Sequence, residues 1–335
     1  MPITARSTPN IALIKYWGNR NDGLRLPAAD SLSMALNTPS VEIIVDDSDV
    51  LDIHSFESDG RERRMTMKHV LRFNRHLELT KQYLAELGSP EAIPASVSIT
   101  IHSAIPPGIG IASSAAVFSC LAQAYAGLIE TERKLSREEI SVIGRLGSGS
   151  AARGAFDGYV ALEAGTGDAI DSAKAVPVAD DQHWLLYDII IVPSRKEKEY
   201  GSTEGHSLAR TSPLFPKRVQ EIPRRQRECI DAIRTRDFEK LQRVAEEDCL
   251  DMHEVMRTST PSLQYLTRDT RLILEEITVY RRMKRLPVLY TMDAGPTVHL
   301  FCPAEAKEDV LHFAHEQQGC TVFVAHTGKG AHVIN

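Results

Sequence analysis

The stretch AIPPGIGIASSAA, Ala104 to Ala116, decides how this chain is read. The alternating segment SVSITIH, Ser96 to His102, predicts a strand entering it, and Ser113 to Leu128 predicts a helix leaving it. A glycine-bearing turn that runs straight into a helix N-terminus presents unpaired backbone N–H groups and the positive end of the helix dipole. Such a place suits an anion, most often phosphate. Ala112, Ser113 and Ser114 are small enough to let a phosphate chain reach the backbone. A plainer reading stands beside this one: a tight loop whose serines cap a core helix.

Outward from that stretch, residues 3–15 predict a strand broken at Pro9-Asn10, with the apolar run Ile11–Ile14 leading to Lys15. Lys15 lies between that run and Tyr16-Trp17, so it is either buried beside a partner or an edge lysine snorkelling to solvent. Val41–Asp46 and Val50–Ser55 predict a strand pair around Asp47-Ser48-Asp49. Residues 64–87 carry helical periodicity, with Val70, Leu71, Phe73, Leu77, Tyr83 and Leu84 as core residues. Ser136-Arg137-Glu138-Glu139 is a capping box for a helix to about Leu146.

That helix runs into a second glycine-serine stretch, Gly147–Gly154, which predicts a short loop holding Ser148, Ser150 and Arg153. Arginine offers a planar fork that matches phosphate or carboxylate; a surface linker is the plainer alternative. Gly158–Ala164 returns to strand-like alternation, and His183–Pro193 (HWLLYDIIIVP) predicts a central strand. The polar stretch 194–212 contains Ser202. Helices are predicted at about 216–235, 238–256 and 262–284. The strands Val288–Met292 and Thr297–Cys302 follow, joined by Asp293-Ala294-Gly295-Pro296, then a helix at 304–318 and a strand Cys320–Ala325. This second texture reads as a small α+β sandwich, with a boundary near 185–195.

At 335 residues the chain is long enough for one large or two ordinary domains. Its net charge of -6 provides no global basic field for nucleic acid or an anionic membrane, so a polyanionic substrate must find cations gathered locally. Five scattered cysteines without a CxxC suggest reduced thiols and a cytoplasmic chain. There is no signal-peptide-like or membrane-spanning apolar run. GxxxxGK[ST], a Rossmann-type GxGxxG and HExxH are all missing. His312 and His315 share a predicted helix face, but two imidazoles alone do not make a metal site.

Lys15, the two anion-type loops, Ser202 and Asp293 remain. Asp293 is either a turn former or a carboxylate held on rigid strands, able to orient or deprotonate a hydroxyl. Together these groups fit phosphoryl transfer to an alcohol: one loop for nucleotide phosphates, the other for an acidic substrate, and a carboxylate to align the hydroxyl.

Four segments then resemble one family. They are Asn10-Ile11-Ala12-Leu13-Ile14-Lys15-Tyr16-Trp17-Gly18, Pro106 to Ala115, Ser148-Gly149-Ser150-Ala151-Ala152-Arg153, and Asp293-Ala294-Gly295-Pro296. In this order they look like the signatures of the mevalonate diphosphate decarboxylases of the GHMP kinase superfamily. The resemblance implies an α+β fold of two-layer α/β sandwiches: a GHMP-kinase-like two-domain fold with an ATP-binding domain over 1–190 and a ferredoxin-like C-terminal domain over 191–335. It implies ATP as co-substrate with Mg2+, small-molecule partners rather than nucleic acid or membrane, and a possible homodimer. By position, Asp293 and Lys15 resemble the catalytic pair, and Arg153 the arginine that holds the substrate carboxylate. Pro106, Gly108, Gly110, Ala112, Ser113 and Ser114 resemble the ATP-phosphate contacts, with Ser113 and Ser114 also near Mg2+. Tyr16, Asn19, Ser148, Ser150 and Ser202 resemble substrate contacts.

The departures are specific. Asn19 stands where the family carries a lysine that grips the diphosphate, Ala29 where it carries Asn, Ala152 where it carries Cys, and Thr297 where it carries Asn. A lost cation weakens the hold on an outer phosphate, and Arg20 and Arg25 are the nearest replacements. The expected substrate is therefore mevalonate 5-phosphate, converted to isopentenyl phosphate, ADP, phosphate and CO2, as in the phosphomevalonate decarboxylase branch. A diphosphomevalonate decarboxylase with a relocated cation is the alternative. A kinase without decarboxylation and a non-catalytic binding protein for nucleotides or isoprenoid precursors are more distant ones.

Overall fold

The computed structural model describes residues 1–90, 92–106, 112–129, 134–193 and 201–334. The first half runs β1 (Ile3–Ser7), β2 (Asn10–Ile14), β3 (Asn19–Asn21), β4 (Leu26–Pro27), β5 (Ser31–Ala35), β6 (Val41–Asp47), β7 (Asp52–Glu57), α1 (Met67–Glu86), β8 (Val97–Ser103), α2 (Ser113–Leu128), α3 (Arg137–Gly147), β9 (Tyr159–Glu163) and β10 (Lys174–Ala179). The second runs β11 (Tyr187–Val192), α4 (Ser202–Leu208), α5 (Phe215–Thr235), α6 (Phe238–Thr258), α7 (Arg268–Lys284), β12 (Leu289–Thr291), β13 (Val298–Cys302), α8 (Lys307–Glu316), β14 (Thr321–His326) and β15 (His332–Val333). The class is α+β.

Among the described residues three larger sheets form, in the strand orders β15-β1-β6-β8-β7, β10-β9-β5-β2 and β12-β13-β11-β14. One apolar cluster packs α1, α2 and α3 between the first sheet and β9 and β10, with Ile99, Leu121, Ile143 and Leu162 fully buried. The helix α2 can lie this close because Ala115, Ala116, Ala122 and Ala124 face the core. A second cluster seats α5 and α6 on β2 and β5, through Ile222, Ile233 and Val244 against Ile11, Leu13 and Met34. Beyond Asp188, β11 reads as an apolar run from Ile189 to Val192 because both its faces are covered. Ile190 joins that second cluster, whereas Ile189 and Ile191 join a third with α7 and α8.

Three expectations change. β6 and β7 are not a hairpin: β8 lies between them, antiparallel to β6 and parallel to β7. β8 takes that place because Val97, Ile99 and Ile101 bury one complete face in the core. In α1 the buried stripe holds Phe73, Leu77, Tyr83 and Leu84, while Leu71 is exposed and Val70 only partly covered. The stretch after α3 is a packed 3-10 segment, Gly149–Ala155, rather than a loop. Its glycines permit this close packing: a Cβ on Gly147 would enter the Phe118 ring, and one on Gly149 the Tyr16 ring. The capping box at Ser136 is present, its hydroxyl accepting from Glu139 N–H.

Candidate active site

β2 delivers Lys15 into the interior. The side chain is 1% exposed, and its Nζ sits 2.7 Å from Asp293 Oδ1. It is therefore the buried, paired lysine rather than a snorkelling one. Asp293 occupies the turn between β12 and β13 and keeps 29% of its side chain open to the cleft. Burial pushes its carboxyl up, but the Lys15 ammonium, helped by His299 and Arg153, outweighs this and holds it below the ordinary carboxylate range. Behind it, His299 Nδ1 and Asp188 Oδ2 lie 2.8 Å apart, both fully buried. Burial raises the Asp188 carboxyl, and His299 works against the rise.

The two anion-type stretches meet on the other wall. Ala112, the N-cap of α2, sits in the left-handed region (φ 30) with no side-chain cap, so the first N–H groups of α2 are not capped by a side chain. Ser114 Oγ lies 3.2 Å from Ser148 Oγ, which lies 3.4 Å from Ser150 Oγ, so one hydroxyl chain links α2 to the 3-10 segment. Arg153 is 2% exposed and is held by neutral hydroxyls: its Nε donates to Ser33 Oγ at 2.9 Å and its Nη1 to Ser31 Oγ at 2.6 Å. Nη2 has no partner among the described residues. Burial pulls this guanidinium down to about 10, so it stays charged at neutral pH. Burial pushes the Tyr16 phenol up to about 12, so it stays protonated.

Lys15, Tyr16, Ala112, Ser113, Ser114, Ser148, Ser150, Arg153, Ser202 and Asp293 line one cleft. Pro106 and Asn19 are not among its lining residues, and Gly108 and Gly110 lie outside the described residues. Asn19 is buried behind Tyr16, accepting from the Tyr16 hydroxyl and donating to Asp22 Oδ1 at 2.8 Å. Arg20 does not serve the cleft, because it is occupied by the carbonyls of Pro27, Ala164 and Gly167 and by Ser172 Oγ.

Arg25 does serve it, together with Arg72, which no motif marked. Among the described residues Arg25 donates only through Nε, to the Leu146 carbonyl. Arg72 uses Nε and Nη2 on the Gly147 carbonyl, with its guanidinium 4.6 Å from the Phe118 ring centre. Both Nη of Arg25 and Nη1 of Arg72 therefore have no protein partner among the described residues. Burial lowers both guanidinium groups, Arg72 to about 10. His206 of α4 also went unmarked. Its Nδ1 accepts from Gly18 N–H at 3.0 Å, which requires a neutral ring, and burial pushes it down to about 3.

Among the described residues no three carboxylate, imidazole or thiol groups form a metal cage, and no helix is long and apolar enough to cross a membrane.

Residues 7–174 match the family described as the diphosphomevalonate decarboxylase-like N-terminal domain, and residues 188–333 the mevalonate 5-diphosphate decarboxylase C-terminal domain. A diphosphomevalonate decarboxylase of Candida albicans is 32% identical over 342 residues, spanning 95% of this chain and 90% of its own. The crystal structure of mevalonate diphosphate decarboxylase from Staphylococcus aureus aligns with a TM-score of 0.87 at 26% identity, over 100% of this chain and 98% of that one. A structure of MDDEF in complex with MVAPP, AMPPCP and magnesium aligns with a TM-score of 0.85 at 26% identity, over 100% and 99% of the two chains.

Proposed function

The chain belongs to the diphosphomevalonate decarboxylase family, with its GHMP-kinase-like two-domain fold, and from that premise we propose that it turns over mevalonate 5-diphosphate with ATP. It is an enzyme, a decarboxylase of that family. The observation that carries the reading is the Lys15–Asp293 pair, 2.7 Å apart and open to a cleft that also holds Arg153.

In this reading the ATP phosphates lie on the N-terminus of α2, against Ala112, Ser113 and Ser114. Asp293 accepts a hydrogen bond from the tertiary 3-hydroxyl and holds it in line with the γ-phosphoryl group. Lys15 keeps that carboxylate ionised and limits the negative charge beside the incoming phosphate. Once the hydroxyl is phosphorylated, the C1–C2 bond breaks and its electron pair forms the C2–C3 double bond. The 3-phosphate and CO2 leave, giving isopentenyl diphosphate, ADP, phosphate and CO2. Arg153 takes the substrate carboxylate through its free Nη2. Tyr16, Ser148, Ser150 and Ser202 offer hydroxyl contacts.

Mg2+ is a hard cation that would arrive with the triphosphate and keep few protein ligands. The Ser113 and Ser114 hydroxyls are the groups that would reach it. Bound there, Mg2+ neutralises phosphate charge. Domains divided near residue 190 and a cytoplasmic homodimer complete the reading; five free cysteines, four of them buried, support a reducing compartment.

The diphosphate replaces the monophosphate expected from Asn19 because the cleft holds Arg25, one of the two replacements named from the sequence, and also Arg72, which no motif marked. Arg25 and Arg72 line it with donors that have no protein partner among the described residues, and the relatives carry the diphosphomevalonate name. One observation favours the monophosphate as a second reading: Asn19 brings no charge, and its amide is bonded to the Asp22 carboxylate. Turnover of the two substrates side by side separates them. A higher kcat/KM for the monophosphate overturns the first reading. No ATP-dependent CO2 release from either overturns both.

A further inference from the structure

We propose that two consecutive residues of α6, Asp248 and Cys249, are positioning residues that set the Lys15–Asp293 contact by gripping the two backbones that carry it. The inference rests on the reading of that pair as the reacting pair. Neither residue lines the cleft, so neither touches substrate.

Lys15 is the first residue beyond β2, whose pairing with β5 shifts register between Ala12 and Ile14 and then ends. Its backbone N–H and C=O are therefore without ladder partners in the interior, where orphan groups are costly. Asp248 Oδ2 accepts from Lys15 N–H at 2.6 Å. Arg218 Nη2 donates to the Lys15 carbonyl at 3.2 Å and to the same Asp248 oxygen at 3.1 Å. Asp248 is 0% and Arg218 2% exposed. Arg225 reaches the other Asp248 oxygen at 3.3 Å, and Asp251 accepts from both arginines at 2.8 and 2.7 Å, which balances the buried charge.

The next residue grips the other side. Cys249 Sγ accepts from Met292 N–H at 3.1 Å and donates to the Met292 carbonyl at 3.4 Å. Met292 immediately precedes Asp293. Burial pushes the thiol up, so it remains the protonated group that can do both. Adjacent helix residues point about 100° apart, as needed to reach β2 with one and the β12–β13 turn with the other. A single peptide unit of α6 thus ties Lys15 to Asp293, which stand 278 residues apart in the chain.

The test uses the full chain with Cys249→Ala, Cys249→Ser and Asp248→Asn. Cys249→Ala removes both contacts with little change of volume. It should lower kcat about tenfold, the order expected of a misplacement under 1 Å, with KM for both substrates within about twofold of the parent. The Asp293 carboxyl, followed by 13C NMR among the titratable groups that face it, Lys15, Arg153, His253, His299 and Asp188, should titrate at higher pH as Lys15 loosens. Cys249→Ser should restore both readouts in large part. Asp248→Asn should act in the same direction as Cys249→Ala. Unchanged kcat and an unmoved Asp293 titration in Cys249→Ala overturn the inference, as does a kcat loss matched by an equal loss of folded protein. A parent chain with no ATP-dependent CO2 release overturns the reading of the site instead; a titration that still moves then shows that the grip exists without that chemistry.

Discussion

Lys15 Nζ and Asp293 Oδ1 lie 2.7 Å apart, joining the residue just beyond β2 in the first half of the chain to a turn of the second. Replacing the carboxylate leaves the cleft's shape intact and removes the group that orients the hydroxyl. Asp293→Asn is expected to lower kcat by at least about a thousandfold, while binding of a non-hydrolysable ATP analogue, read by calorimetry, stays close to the parent's. Retained turnover would remove Asp293 from its assigned role.

The same pair sets a pH dependence. Asp293 is held below the ordinary carboxylate range, with Lys15 the main group opposing the effect of burial. A depressed carboxyl stays ionised to lower pH, and its stabilising contribution is present above the unfolded value and lost as pH falls through the folded one. Lys15→Met lets burial win, so the acid limb of kcat/KM should move to higher pH. An acid limb at the parent's position would show that Lys15 does not govern this carboxyl.

Arg153 offers a third measurement. Ser31 and Ser33 fix two of its nitrogens and leave Nη2 without a partner among the described residues, on a side chain that lines the cleft. Lysine cannot satisfy both serines and a carboxylate at once. Arg153→Lys should cost about 1.5–3 kcal/mol, roughly tenfold to hundredfold in kcat/KM for the acidic substrate, with KM for ATP nearly constant. An equal rise in both KM values would argue against carboxylate recognition.

Phosphate-chain length can be read from three substitutions. Arg25→Gln and Arg72→Gln should each reduce kcat/KM for mevalonate 5-diphosphate by about tenfold and that for the monophosphate less. Asn19→Lys should improve the diphosphate further. If all three leave the ratio of the two substrates unchanged, these side chains do not read the outer phosphate.

Gly149 carries no side chain because the Tyr16 ring lies where its Cβ would be. Gly149→Ala should cost about 1–3 kcal/mol by overpacking, visible as a lower midpoint in denaturant unfolding. It should also raise KM for the acidic substrate by displacing Tyr16. Parent-like values for both would mean the ring moves away freely.

Much of this was legible where the determinants are local. The start of α2 at Ser113, the capping box at Ser136 and the Asp293 turn between two strands follow from residues within a few positions of one another. What escaped depends on distant packing. β6 and β7 read as a hairpin because their sequences adjoin, yet β8 enters between them. The 147–154 stretch reads as a loop from its glycines, and only the Phe118 and Tyr16 rings reveal why they are there. Arg72 sits on an ordinary helix face, and α1 must pack beside α3 before its guanidinium reaches the cleft. Asn19 followed a motif to the right neighbourhood but turned toward Asp22, one layer behind the lining.

The strand β15 has a further consequence, for biosynthesis. Residues 332–333 pair with Ala5 and Arg6 at the rim of the first sheet, so a ribosome-bound chain carries an open β-edge on β1 throughout most of its elongation. The face of β2 and β5 likewise waits for α5 and α6. The nascent first half therefore displays both an unpaired edge and an uncovered apolar surface, the two features that expose a folding chain to aggregation, until β15, α5 and α6 are made.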